Sequence, residues 1–168
     1  MTEGRGQSSG RKVELPLEQL FRDEHEGVVR LAKAFGEELG EARVLAIAER
    51  MSAEDSAARL RKRLEGIPHA CLQDFISYHD RVMGDSISSG AQSGENVEVG
   101  DGRFVYVMRE CMWARTFREL GAADLGYALN CSSDFASARC FNPKLRLTRS
   151  KTLMMGDDCC EFVYTWDD

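Results

Sequence analysis

This sequence has few of the residues on which several classes of function depend. It contains only three histidines, His25, His69 and His79, and no two of its six cysteines are spaced as CxxC. The usual zinc ribbons and fingers are therefore excluded. Positive charge is also short: 22 Lys and Arg stand against 28 Asp and Glu, leaving a net charge of −6. Phosphate backbones are bound by clustered cations, so no nucleic-acid partner is expected. No run approaches the roughly 18 apolar residues of a membrane helix, and the opening "MTEGRGQSSGRK" has no apolar core of a secretory leader. These absences predict a cytoplasmic protein without a membrane partner, in a compartment where a disulfide framework is not expected. Repeats at solenoid periods are absent as well.

What is present suits one compact body. With 168 residues and 43% apolar content the chain can bury one sizeable core. Residues 1–13, made of Gly, Ser and charge, read as a disordered tail, and residues 14–168 as a single domain. Pro16 suits a first helical turn, and Leu17, Leu20, Phe21, Val28, Leu31 and Phe35 recur at helical spacing up to the glycines at 36 and 40. A second helix runs from Glu41 to Leu64, with "RLRKRLEG" as its solvated last turn. "CLQDFISYHD" reads as a short apolar segment and "GDSISSGAQSGEN" as an exposed loop. "VEVGDGRFVYVMRE" carries two alternating runs around Gly-Asp-Gly, a hairpin pattern. Two helices broken near Gly121 follow, and then a second hairpin, "KLRLTRSKTLMMGDDCCEFVYTW", turning at Gly156-Asp157-Asp158. The order ααββααββ predicts an α+β fold, an antiparallel sheet of two hairpins packed with helices.

Taken singly, a free cysteine reads as a small buried hydrophobe, and Cys71 and Cys140 are read that way. Position singles out the others. Cys111 falls where a strand gives way to a helix; the unpaired N–H groups there lower a thiol's pKa, while a buried boundary residue is the alternative. Cys131 and Asp134, at i and i+3, share a helix face with Phe135 and Ala138. Strand alternation sends Cys159 and Cys160 to opposite faces, Cys160 with Phe162, Tyr164 and Trp166 on the covered side.

The segment "RECMWARTFRELGAADLG" followed by "NCSSDFASARCFNPKLRLTRSKTLMMGDDCCEFVYTW" resembles the L-2-amino-thiazoline-4-carboxylic acid hydrolase family. The resemblance rests on the Cys111 helix start, Cys131 with Asp134, the Asn142-Pro143 break, the Arg149 to Thr152 strand, Gly156-Asp157-Asp158, and Cys160 before Glu161-Phe162. A more distant similarity is to the four-vinyl-reductase domain, a small-molecule-binding α+β module associated with metal-holding cysteines. The hydrolase resemblance implies that water opens a cyclic amidine, turning 2-amino-thiazoline-4-carboxylate into carbamoyl-cysteine. It implies Cys111, Cys131, Asp134 and Cys160 as catalytic positions: Cys111 or Cys131 attacking, and Asp134 binding the amidinium or taking a proton. Arg149, with Thr152 and Asp158, would bind substrate, Arg149 pairing with its carboxylate. The implied partner is a small-molecule substrate, with no cofactor and with homo-oligomerisation left open. One alternative is a ligand- or metal-sensing module in which Cys111, Cys131 and Cys160 hold zinc. Another is a dimerisation domain with inert core cysteines. No histidine falls in a matched element, so the usual Cys-His activation is not evident.

Overall fold

A computed structural model describes residues 16–100 and 102–167; the expected tail at 1–13 and the central Asp101 of the first hairpin turn lie outside them. Helix α1 (Leu17–Leu39) and helix α2 (Glu41–Arg63) are joined only by Gly40. Its φ of 88° belongs to the left-handed region that glycine adopts without strain, which lets one residue close the turn. Helix α3 (Leu72–Ser88) leads into strand β1 (Gln92–Val99), which pairs antiparallel with β2 (Arg103–Cys111). Helix α4 (Met112–Glu119) starts directly on the end of β2. After Gly121 the chain makes the short α5 (Ala123–Gly126), a π-helical turn (Tyr127–Cys131) and α6 (Ser133–Phe141), then strands β3 (Leu145–Arg149) and β4 (Cys160–Trp166). The sheet runs β1-β2-β4-β3 with every pair antiparallel, so the fold is α+β as expected.

The strands obey their alternation. Phe104, Tyr106 and Met108 of β2 and Cys160, Phe162 and Tyr164 of β4 turn inward, where Leu60, Phe75, Ile76, Phe141 and Leu145 complete one core. Tyr164 packs against Phe75 with ring centroids 4.5 Å apart, and Phe104 and Phe141 are almost wholly buried. Truncating such a phenylalanine to alanine costs about 3–5 kcal/mol, so this layer carries much of the fold's stability. A second core lies between α1, α2, α4 and α5 around Val29, Ala48, Phe117, Leu125 and Met154. Gly126 is needed there, because a Cβ would fall 2.6 Å from Phe117 and 2.7 Å from the Met154 sulfur. Cys159 is buried on the opposite sheet face with Val105 and Val107. Among the described residues no helix is long and apolar enough to cross a membrane.

Three expectations need correction. "CLQDFISYHD" is not a short segment but the first half of α3, and the helix continues through the Gly/Ser stretch to Ser88, with β1 starting at Gln92. Leu72, Phe75, Ile76 and His79 are its buried face, and packing on the sheet outweighs the weak helix propensity of Gly84 and the serines. The element order therefore has a third helix before the first hairpin. The second hairpin is not tight: residues 150–159 form a ten-residue connector between β3 and β4, with a 3₁₀ turn at Leu153–Met155. The expected apolar face of α1 is also displaced. Leu17, Leu20, Val28, Leu31 and Phe35 are exposed, and the inward side is Phe21, His25, Val29 and Ala32, since α2 and α4 meet only that side.

Candidate functional site

A cavity of about 430 Å³ lies between the inner sheet face and helices α2, α3 and α6. A second lobe of about 260 Å³ shares Arg59, Arg63, His79, Ser133, Asp134 and Tyr164 with it. Five chemically active side chains stand at element boundaries around the larger cavity. Cys111 ends β2, Cys131 ends the π-helical turn, Asp134 sits in the first turn of α6, Arg149 ends β3 and Cys160 begins β4. All five line the cavity. The π turn itself is fastened from outside, by the buried Ser52 of α2 donating to the Leu129 carbonyl. Such turns recur at functional sites because the extra residue redirects neighbouring side chains.

Two expected substrate-binding residues are not on the cavity. Thr152 lies behind Cys160, whose thiol is 3.6 Å from the Thr152 hydroxyl, and that hydroxyl accepts from the Met154 N–H. Its place in the connector makes it a cap of the 3₁₀ turn. Asp158 is exposed and accepts from Lys151 at 3.0 Å. The other cysteines divide as follows: Cys140 is half-buried and donates to the Ala57 carbonyl, whereas Cys71 is exposed at the start of α3 and is not a packing residue. All six thiols are free.

Arg149 is enclosed. Its side chain is 2% exposed, it donates to Asp134 at 2.7 Å and to the Cys131 carbonyl at 2.9 Å, and its guanidinium lies 5.2 Å from the Phe135 and Phe162 rings. The geometry commits this cation to Asp134 rather than to a carboxylate entering from solvent. The Asp134 side chain, 38% exposed, keeps one face toward the cavity. Burial pushes its carboxyl up to about 6, against the downward pull of Arg149. The cations that do face solvent at the cavity are Arg59 and Arg63 on α2, neither in an ion pair among the described residues. They belong to the charge run read from sequence as a solvated turn.

The expected activation of Cys111 is reversed. The thiol is at the helix start, with N–H groups of Ala114 and Trp113 and the Gln92 amide lowering its pKa, yet burial outweighs them and raises it. Cys131 is pushed up to about 12, by burial first and by the neighbouring Asp134 second. Both are protonated at neutral pH. The alternative zinc set of Cys111, Cys131 and Cys160 lines one cavity, but no three His, Cys, Asp or Glu side chains among the described residues are placed to hold a metal ion. The raised thiols also oppose the deprotonation a zinc site requires.

The sequence reading missed His79 and Tyr106, which line the same cavity. The i, i+3, i+4 pattern of Leu72, Phe75 and Ile76, continued as a helix to i+7, reaches His79. Burial lowers its pKa from 6.5 to about 4, so it is neutral near pH 7. A depressed folded pKa contributes stability that is complete above pH 6.5 and lost as pH falls through about 4. At about 1.4 kcal/mol per unit the loss is at most about 3.5 kcal/mol. Urea unfolding of the wild type is expected to show this loss, and His79→Phe a flatter profile across the same window. Superimposable profiles would mean that this imidazole is not penalised by burial.

An antiparallel sheet covered by helices, with a cavity walled by thiols, an ion pair and aromatic rings, defines an α+β domain with a cleft open to solvent on the α2 side. Residues 21–164 match the family of the L-2-amino-thiazoline-4-carboxylic acid hydrolase, and the chain belongs to that family. No protein of curated function matches it. Among solved structures, the phenol-responsive sensory domain of the transcription activator PoxR, with phenol, is similar at a TM-score of 0.55 and 10% identity, covering 84% of this chain and 73% of that one. At that identity the likeness is one of fold.

Proposed function

We propose that the chain is a cysteine-dependent hydrolase of a small cyclic amidine that also bears a carboxylate, of the type of 2-amino-thiazoline-4-carboxylate. The observation that carries this reading is the arrangement of charge around the thiols: Asp134 within the cavity beside Cys131, with Arg59 and Arg63 at the solvent side. Asp134 receives the amidinium and the two arginines attract the carboxylate. Arg149 is a positioning residue that orients Asp134.

A protonated thiol suits this substrate. An amidinium between Cys131 and Asp134 supplies the positive charge that lowers the thiol's pKa, so the nucleophile forms only when substrate is present. The thiol proton passes to Asp134 as sulfur bonds to the amidinium carbon, and the ring carbon–sulfur bond breaks, its sulfur taking up a proton. Water then adds to the isothiouronium carbon, the enzyme's carbon–sulfur bond breaks, the thiol is regenerated and a carbamoyl group remains. Cys111 is the alternative nucleophile on the same cavity.

The purified chain incubated with 2-amino-thiazoline-4-carboxylate is expected to yield carbamoyl-cysteine by mass spectrometry. Asp134→Asn is expected to lower kcat/KM by about two to four orders of magnitude, the usual range for general acid–base groups. No product from the folded wild type would sink the hydrolase reading. A second reading, a small-molecule-binding module, is favoured by the protonated thiols and by the fold shared with a phenol-responsive domain. Binding without turnover would select it.

A further inference from the structure

Two polar groups in the cleft have nothing to bond. The Nδ1 of His79 and the phenolic oxygen of Tyr106 are buried without a hydrogen-bond partner, on side chains only 8% and 2% exposed. Folded proteins leave few such groups, because each loses its hydration without replacement. Here the two rings lie together, centroids 4.7 Å apart, and both residues line the main cavity.

The fold takes pains to keep them there. Tyr106 points inward from β2, and β1 makes room for its oxygen with Gly94, where a Cβ would come within 2.2 Å. His79 is wedged against Phe104 at 5.0 Å and Phe75 at 5.8 Å. Its neighbour Asp80 stands 3.8 Å from Nδ1, too far for a hydrogen bond, and accepts instead from Asn96 at 3.0 Å. The pair thus offers a hydroxyl and an imidazole between aromatic walls, apart from the charges of Asp134 and Arg149.

We propose that His79 and Tyr106 form a subsite for an uncharged planar ring carrying a hydroxyl, or a similar group that both donates and accepts a hydrogen bond. The ligand would then bear such a ring in addition to the part that meets Asp134. The cavity size agrees: about 430 Å³ lies within the range that buries drug-sized ligands, more than one small amino- and carboxy-substituted ring requires. The inference rests on the cleft being the substrate site, but not on the reaction proposed for it.

Phenol and toluene are the probes, since they share a ring and differ in hydroxyl against methyl. Isothermal titration of the full chain is expected to show phenol binding at least about tenfold more tightly than toluene, one good hydrogen bond's worth. Tyr106→Phe, which removes a single oxygen, should abolish most of that preference while leaving toluene affinity unchanged, and His79→Phe should act in the same direction. If His79→Phe does not fold, the tyrosine variant decides alone. Equal binding of the two probes, no detectable binding of phenol, or a parallel loss of both ligands in Tyr106→Phe would overturn the subsite and point to an ordered water as the missing partner. Because only binding is read, failure to hydrolyse 2-amino-thiazoline-4-carboxylate would leave this result standing, and loss of the phenol preference would leave the hydrolase reading standing.

Discussion

Arg149→Met is expected to lower the stability of the folded chain by about 3–4 kcal/mol at pH 8, the lower half of the range for breaking a buried ion pair. The lower half applies because the Asp134 side chain is 38% exposed and partly screened by water. Methionine keeps an unbranched apolar stem against Tyr127, Phe135 and Phe162, so lost packing is a minor part of the effect. What is lost is the cation that donates to Asp134 and to the Cys131 carbonyl. The deficit should shrink as pH falls. Asp134 already titrates above its ordinary value, with a folded pKa of about 6, and removing Arg149 raises it further. A group whose folded pKa exceeds its unfolded one favours the folded state as pH drops through that folded value, and more so in the variant than in the wild type. Urea midpoints at pH 8 and pH 5 measure both parts. Equal midpoints for the two proteins at pH 8 would show that the pair contributes little.

The same substitution bears on the site. Raising the Asp134 pKa further leaves more of it protonated at neutral pH, so the proposed amidinium contact loses countercharge and substrate affinity should fall together with stability. Asp134→Asn, which keeps the hydrogen-bonding shape without the charge, should lose the contact with a smaller cost to folding.

How much of this was legible in the sequence depended on the range of the interaction. Alternation along "CEFVYTW" put Cys160 on the covered face and Cys159 on the other, and the structure agrees, because a strand's facing depends only on its own period. The start of α4 at Cys111 was equally local. The charge state of Cys111 was not: the thiol packs against both hydrophobic cores, assembled from segments far along the chain, and that burial outweighs the local helix terminus. α3 was lost because a polar composition concealed a packed face, and His79 was lost with it. Arg149 could be placed at a strand end from sequence, but only the tertiary structure shows that α6 supplies the carboxylate that engages it.

Alkylation by iodoacetamide tests the protonated thiols directly. With a pKa near 12, Cys131 has a thiolate fraction of about one in ten thousand at pH 8, against about one quarter for a free cysteine of pKa 8.5. Its thiolate is intrinsically more nucleophilic, since reactivity rises with basicity at a Brønsted slope of about 0.4–0.5. That recovers between one and two of the roughly three and a half orders lost, leaving about a hundredfold deficit. Peptide mapping is therefore expected to find the exposed Cys71 labelled first and Cys131 about two orders of magnitude slower than a free thiol. The pH profile separates this from simple shielding. Labelling of Cys131 should keep rising about tenfold per pH unit through pH 10, whereas a shielded thiol of ordinary pKa would rise and then level off near pH 9. A rapid reaction at pH 7.5 with an early plateau would mean that a thiolate is present at rest. Burial would then not control this site, and the substrate's charge would not be needed to ionise the nucleophile.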